Sequence, residues 1–279
     1  MLQWTGKKVF GIGLMLFSFG QPILVRAQVN ISGKAGLMYI PTARVLDEGI
    51  IHVGVSYNPI NYAFRFNPNI DPRIKTRNSE NIYYVNLVVL PRLELNINLL
   101  RPNGEISFND RGVGDRQIDV KYLLLTEKKK RPALALILSM PFGIDNSLIT
   151  NALVATKTIQ LTKTIDAEVT LGTGTPYHIA REDIKNDQNS GIFSGFMLSN
   201  DPKRYLTGPF GGINIRVNKK AGVMVEWDSH HLNLGAYTTL FKHWTLQGGV
   251  LNFDQVTLGT SYAFSLFKLP KRVSGIPVE

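Results

Sequence analysis

From residue 48 to residue 266 the chain is a succession of segments, each roughly ten residues long, in which apolar residues take every second position. That period turns successive side chains to opposite faces, so each segment reads as a β-strand with one apolar and one polar face. In RLELNINLL, Leu93, Leu95, Ile97 and Leu99 oppose Glu94, Asn96 and Asn98. In RQIDVKYLL, Ile118, Val120, Tyr122 and Leu124 oppose Gln117, Asp119 and Lys121; in AGVMVEW, Val223, Val225 and Trp227 oppose Met224 and Glu226. Twelve such segments can be counted. An even number of long two-faced strands is what a closed antiparallel membrane barrel requires.

A soluble β-sandwich also alternates, so the connections decide between the two. Those at 58–79, 102–115 and 175–206 are long, whereas Pro91, 126–130, 161–164, 218–220 and Phe241 mark tight ones. Long and short connections therefore fall at opposite ends of the strands, as they do when one rim faces the outside and the other the periplasm. The segment length also suits a tilted spanning strand, which needs about nine to eleven residues. Tyr57, Tyr83, Trp227, Trp244 and Tyr262 near segment ends suit interfacial girdles. The expected fold is all-β: a closed antiparallel transmembrane β-barrel of about twelve strands over 48–266.

Ahead of the barrel, Lys7 and Lys8 precede VFGIGLMLFSF, an apolar run too short to span a bilayer, and LVRAQ places small Ala27 before Gln28. This predicts a signal peptide over 1–27. A segment over 28–47 then lies at the periplasmic mouth or plugs it, and 267–279 forms a periplasmic tail. The chain has no cysteine, which excludes disulfides, thiolate ligands and an acylated-cysteine anchor. Lys7, Lys8 and Arg26 carry three of the ten net positive charges, leaving +7 for the rest. That balance favours phosphate- or carboxylate-bearing partners, such as lipopolysaccharide or an acidic glycan, over nucleic acid.

The one run that looks like chemistry is EWDSHHLNLGAY, where Glu226, Asp228, Ser229, His230 and His231 lie close together. Adjacent histidines on a strand project to opposite faces, which spoils a shared metal, and Asp and Ser at a hairpin tip serve the backbone as turn residues. The expectation is a turn, with no catalytic residues, metal or cofactor. Polar faces place His52, Glu94, Asp119, Lys121, Lys157, Glu168, Arg216, Glu226 and His243 inside the barrel. Both signs are present, so these are read either as a salt-bridged interior or as a polar path for a sugar polymer. In the long connection 58–79, Arg65, Arg73, Lys75 and Arg77 stand among Tyr57, Tyr62, Phe64 and Phe66. Guanidinium groups pair with carboxylates and aromatic rings stack on sugars, so this loop is the candidate glycan contact.

The segments GLMYIPTARVLDEG (36–49), VGVSYNP (53–59), GDRQIDVKYLLLTE (114–127), ALVATK (152–157), TLGTG (170–174), GPFGGINIRV (208–217) and VEWDSHHLNLGAY (225–237) resemble, in order and spacing, the YjbH-like proteins of bacterial exopolysaccharide gene clusters. The resemblance covers the chain from 28 almost to its end. It is carried by Pro41, Thr42, Ala43 and Arg44, and by a Glu-x-Asp turn with a following Asn-x-Gly strand, here Glu226, Asp228, Asn233 and Gly235. TLGTSYAF, with Gly259, Tyr262 and Phe264, is similar to the closing strand read by the barrel assembly machinery. Longer members of the family carry a second half, and several are lipoproteins, whereas this chain has no cysteine. The resemblance implies an outer-membrane, non-enzymatic part in exopolysaccharide production or export, with periplasmic export proteins as further partners. The alternatives are a general porin or small-solute channel, and an outer-membrane hydrolase, for which a Ser/His/Asn arrangement is not visible. Pro41 leaves the 41–44 stretch too short for a spanning strand, so it is expected at the periplasmic mouth with Arg44 paired to a luminal carboxylate.

Overall fold

The structure, a computed structural model, describes residues 28–64, 67–68, 75–76, 78–103, 115–140, 147–180, 195–198 and 205–266. The leader 1–27, the tail 267–279 and Arg65, Arg73 and Arg77 lie outside them. Twelve strands close one antiparallel barrel: β1 (Ile50–Asn58), β2 (Glu80–Leu90), β3 (Leu93–Pro102), β4 (Asp115–Leu125), β5 (Ala133–Ser139), β6 (Ala152–Gln160), β7 (Ile165–Gly174), β8 (Gly208–Val217), β9 (Ala221–Trp227), β10 (Leu232–Leu240), β11 (Trp244–Leu251) and β12 (Gln255–Ser265). Each strand pairs with its neighbours in sequence, and β1 closes the ring on β12 from Ile50↔Ser265 to Tyr57↔Leu258. The polar backbone groups of the wall are therefore paired all the way round, with no open edge. Two short ladders, Asn67–Pro68 with Lys75–Thr76 and Tyr177–Ala180 with Gly195–Leu198, lie in the β1–β2 and β7–β8 connections.

The barrel is inside out relative to a soluble sandwich, and this burial pattern rejects the sandwich. Outward residues stay open, Leu171 at 66% and Val223 at 59%, whereas inward Glu94, Asp119 and Lys121 are at most 1% exposed. A sandwich would bury the apolar face and wet the charges. Aromatics sort to the two rims: Tyr57, Tyr83 and Trp227 sit near the long-connection rim, and Trp244, Tyr262 and Phe264 near the short one. No described helix is long and apolar enough to cross a membrane.

Several tight turns owe their geometry to pairs of residues in the left-handed region. Asn218 and Lys219 have φ of 52° and 57°, and Phe241 and Lys242 of 50° and 70°. Two successive positive φ values give a turn whose twist matches that of the strands it joins. Phe241 is 66% exposed at such a tip.

Two side chains placed inside by alternation are not there. Lys157 belongs to the outward set of β6 with Leu153 and Ile159, and it reaches past the strand end to the Lys128 carbonyl (2.6 Å) and Glu127 (3.0 Å). His243 lies in the β10–β11 turn and stacks on outward Tyr262 at 6.1 Å. His243 sits in a turn, where strand alternation stops governing direction, whereas Lys157 keeps to the alternation of β6, whose inward set is Ala152, Val154 and Thr156.

A closed barrel offers no edge at which unfolding can start, so the purified protein should migrate faster on a denaturing gel when unheated than when boiled. Identical migration would contradict closure.

Candidate functional site

The lumen is filled by residues 29–43, every one of them buried. The segment is too short and too turned to add a strand; it bonds to itself instead. Isolated bridges join Val29 to Ala35 and Gly36 to Pro41. Ile31 N–H donates to the Met38 carbonyl (2.6 Å), Leu37 N–H to Ile40 (2.9 Å) and Thr42 N–H to Ala35 (2.9 Å). Buried backbone groups left over must find partners elsewhere, and the lumen wall supplies them.

Glu226, inward on β9 near the long-connection rim, is the main acceptor. Its carboxylate takes the backbone N–H of Tyr39 (2.7 Å), of Met38 (3.0 Å) and, more weakly, of Ile40 (3.4 Å). Asn233 on β10 donates to Asp228 (2.8 Å) and Glu226 (3.4 Å), tying both carboxylates into one cluster. Beside it, Met38 Sδ occupies the space that a Cβ at Gly235 would need, and Leu37 does the same at Gly212 (2.7 Å). The Glu-x-Asp turn and the Asn-x-Gly strand thus seat the plug tip between them. Tyr39 donates to Asn58, and Tyr205 donates to the Tyr39 carbonyl (2.5 Å). Phe64 packs edge-on against Tyr205 at 5.0 Å, closing aromatic groups over the tip.

Toward the short-connection rim the contacts become ionic. Lys34, 1% exposed, meets Asp119 of β4 at 2.5 Å. Arg44 pairs with Glu168 of β7 and donates to Thr158 (2.6 Å), while Ala43 N–H donates to Thr156 (2.8 Å). Glu168 also receives Arg216 of β8 (2.7 Å), which bonds Asp166 (2.5 Å). Glu94 of β3 accepts the N–H of Ala35 and of Leu46, each at 3.3 Å, and pairs with Lys121 at 3.4 Å. Four carboxylates on four strands, Glu94, Asp119, Glu168 and Glu226, hold the plug. A cavity of about 50 Å³ remains at the lower mouth beside Arg44, Glu168, Arg216 and Tyr237.

The candidate luminal charges Glu94, Asp119, Lys121, Arg216 and Glu226 thus all lie inside, and Glu94, Asp119, Glu226 and Lys121, the last through the Ala35 carbonyl at 3.5 Å, touch the plug directly. Pro41, Thr42 and Ala43 run deeper than the periplasmic mouth expected for them and are at most 1% exposed for Thr42 and Ala43; Arg44 alone stays near the rim. Thr42 N–H is tied to Ala35, which folds the stretch back into the lumen. Lys34, Tyr39, Asn58 and Tyr205 were not singled out in the sequence; a lone lysine in a stretch without strand periodicity carries no sign of its partner. Of the loop residues, Lys75 is placed in a two-residue ladder opposite Pro68.

At the β9–β10 tip, Asp228 Oδ1 accepts the N–H of His230 (3.0 Å) and His231 (2.8 Å). This holds His231 in the turn, so β10 starts at Leu232. Burial pushes the Asp228 carboxyl up, but hydrogen bonds from the His231 and Asn233 side chains and from the His231 and His230 backbone outweigh it and hold it below the usual Asp value. A depressed carboxyl stabilises the tip above the ordinary Asp range, and that contribution is lost as pH falls through the depressed value. Among the described residues, no three His, Cys, Asp or Glu side chains converge to hold a metal.

Residues 28–270 match the family described as "Exopolysaccharide biosynthesis protein YbjH" (YjbH), and the chain belongs to that family. No curated protein matches the chain.

Removing one acceptor should loosen the plug without opening the wall. Glu226→Ala leaves buried N–H groups of Met38 and Tyr39 unpaired, each at a cost of about 1–3 kcal/mol. Protease cleavage within 28–47 should then become detectable while the heat-shifted mobility persists; Glu226→Gln, which keeps an acceptor oxygen, should show less. Equal protection of wild type and Glu226→Ala would show that the carboxylate does not hold the plug.

Proposed function

We propose, taking membership of the exopolysaccharide family as the premise, that this protein is an outer-membrane barrel that takes part in exopolysaccharide production or export. On this reading the leader 1–27 is removed and the long connections face outward. The observation that supports a membrane location is the apolar outer face with aromatic rims, set around a charged interior. Glycan handling rests on the family membership, and on a lumen wall whose inward side chains are largely carboxylates, amides and hydroxyls.

A general porin is the less supported reading, because residues 29–43 fill the lumen and are held from several strands. A standing pore for small solutes needs open cross-section. The proposal is also non-enzymatic, without a cofactor. Asp228, the acid of the one catalytic-looking run, spends one oxygen on two backbone N–H groups and the other on Asn233. Arg65, Arg73, Lys75 and Arg77 remain the proposed contacts for an acidic polymer or for lipopolysaccharide. Periplasmic export proteins would meet the short-connection rim.

Deletion of the gene should lower extracellular polysaccharide, and unaltered polysaccharide would end this reading. Reversing Arg65, Arg73, Lys75 and Arg77 together to Glu should lower polysaccharide with barrel abundance unchanged, since these positions lie outside the twelve barrel strands. A normal loop variant in a host where deletion is defective removes only the loop assignment.

A further inference from the structure

The wall that faces the plug on β1, β2 and β3 carries more hydrogen-bonding capacity than the plug uses. His52 is 0% exposed and neither ring nitrogen has a protein partner. Asn86 Oδ1, Asn96 Nδ2 and Asn98 Oδ1 are likewise buried without one. These groups are contiguous: His52 lies opposite Asn86, Asn86 opposite Asn96, and Asn98 opposite Tyr84. Tyr84 is inward and 2% exposed, and the residue lying on its ring is Gly33, where a Cβ would sit 2.4 Å from the ring carbons. Gly33 has φ of 87°. The plug thus lays the Gly33 backbone on the ring, within an apolar cluster that also holds Val29, Ala35 and Leu46, and leaves one atom of each amide without a protein partner while the other bonds Glu94, Asp119 or a neighbouring amide.

A surface evolved only to hold a permanent plug gains nothing from buried amide atoms and a histidine left without partners, which are costly, and would do better with apolar side chains. An aromatic ring flanked by amides is, by contrast, the composition that suits a sugar: the ring face takes the apolar face of the pyranose and the amides take its hydroxyls. We infer that Tyr84, Asn86, Asn96, Asn98 and His52 form a saccharide-binding track on the inner wall, and that residues 28–47 withdraw from it as a unit. The inference rests on the exopolysaccharide reading above. The plug is joined to β1 through Val45–Gly49 at the short-connection rim, so it withdraws toward that rim. Its internal backbone hydrogen bonds would travel with it, and the ties it gives up are polar, to Glu226, Asp119 and Glu168, and apolar, where Ile31, Leu37, Met38 and Ile40 pack in one buried cluster with Ile82, Leu100, Val154 and Met224.

The opening is tested first on purified protein by hydrogen exchange. Amides of 28–47 should exchange through an event that leaves the strand amides protected, so the two classes separate in rate. Exchange of the plug only together with the strands would overturn the inference, whatever the polysaccharide phenotype.

The track is tested in cells. Asn96→Leu with Asn98→Leu should leave barrel abundance and heat-shifted mobility intact yet lower surface polysaccharide by about tenfold. Should that pair reduce barrel abundance, Tyr84→Phe and Tyr84→Leu decide: the first keeps the ring and should keep polysaccharide, the second should lose it. Normal polysaccharide in the folded Asn variant, or equal polysaccharide in the two Tyr84 variants, would overturn the track. Normal polysaccharide in the deletion strain would instead remove the functional reading beneath it.

Discussion

The structure depends on how charge is kept inside a wall that water does not reach. The buried wall carries Glu94, Asp119, Asp166, Glu168 and Glu226 against Lys121 and Arg216. An isolated carboxylate in such a place is strongly unfavourable, and only close partners make it tolerable. The plug supplies what the wall lacks: Lys34 for Asp119, Arg44 for Glu168, and a row of N–H groups for Glu226. The dependence is mutual. Without these acceptors the turned backbone of 36–41 would carry buried, unpaired donors.

This mutual requirement explains why the family-like stretches sit where they do. Pro41–Arg44 and the Glu226, Asp228, Asn233 and Gly235 set are separated by most of the chain, yet they occupy two ends of one buried contact. Gly235 is needed as space, because Met38 Sδ lies 1.9 Å from where its Cβ would be. Asn233 links the turn at Asp228 to the acceptor at Glu226. A stretch that looks like a catalytic run is, in the folded chain, a hairpin tip whose carboxylate ties its own backbone.

The barrel is legible in the sequence because its apolar and polar faces alternate at every second residue. RLELNINLL and AGVMVEW each write that difference over a full strand, and β3 and β9 follow it residue by residue. His243 escapes the alternation because it stands in a turn, whereas Lys157 obeys it: β6 turns Val154 and Thr156 inward, and the lysine shares the outward parity of Leu153 and Ile159. The plug was legible only in part. Its Pro41 excludes a strand and Arg44 suggests a carboxylate partner, but the match of Lys34 to Asp119, or of Tyr39 to Glu226 and Asn58, joins residues far apart in the chain and leaves no local periodicity. Glycines at 212 and 235 likewise look like sheet irregularities until the side chains that fill their space are seen.

Residues 29–43 lie inside the barrel with their tip between β8 and β10. Met38 Cγ lies 2.7 Å from the Cβ position of Gly235, so cysteines at both sites would approach the Cβ separation of a disulfide, about 3.5–4.5 Å. The chain has no other cysteine to compete. Oxidation of Met38→Cys with Gly235→Cys in isolated membranes should therefore give a single intramolecular disulfide, with both thiols closed to a membrane-impermeant maleimide. Free, labelled thiols on a barrel that still shows heat-shifted mobility would contradict the placement of the plug.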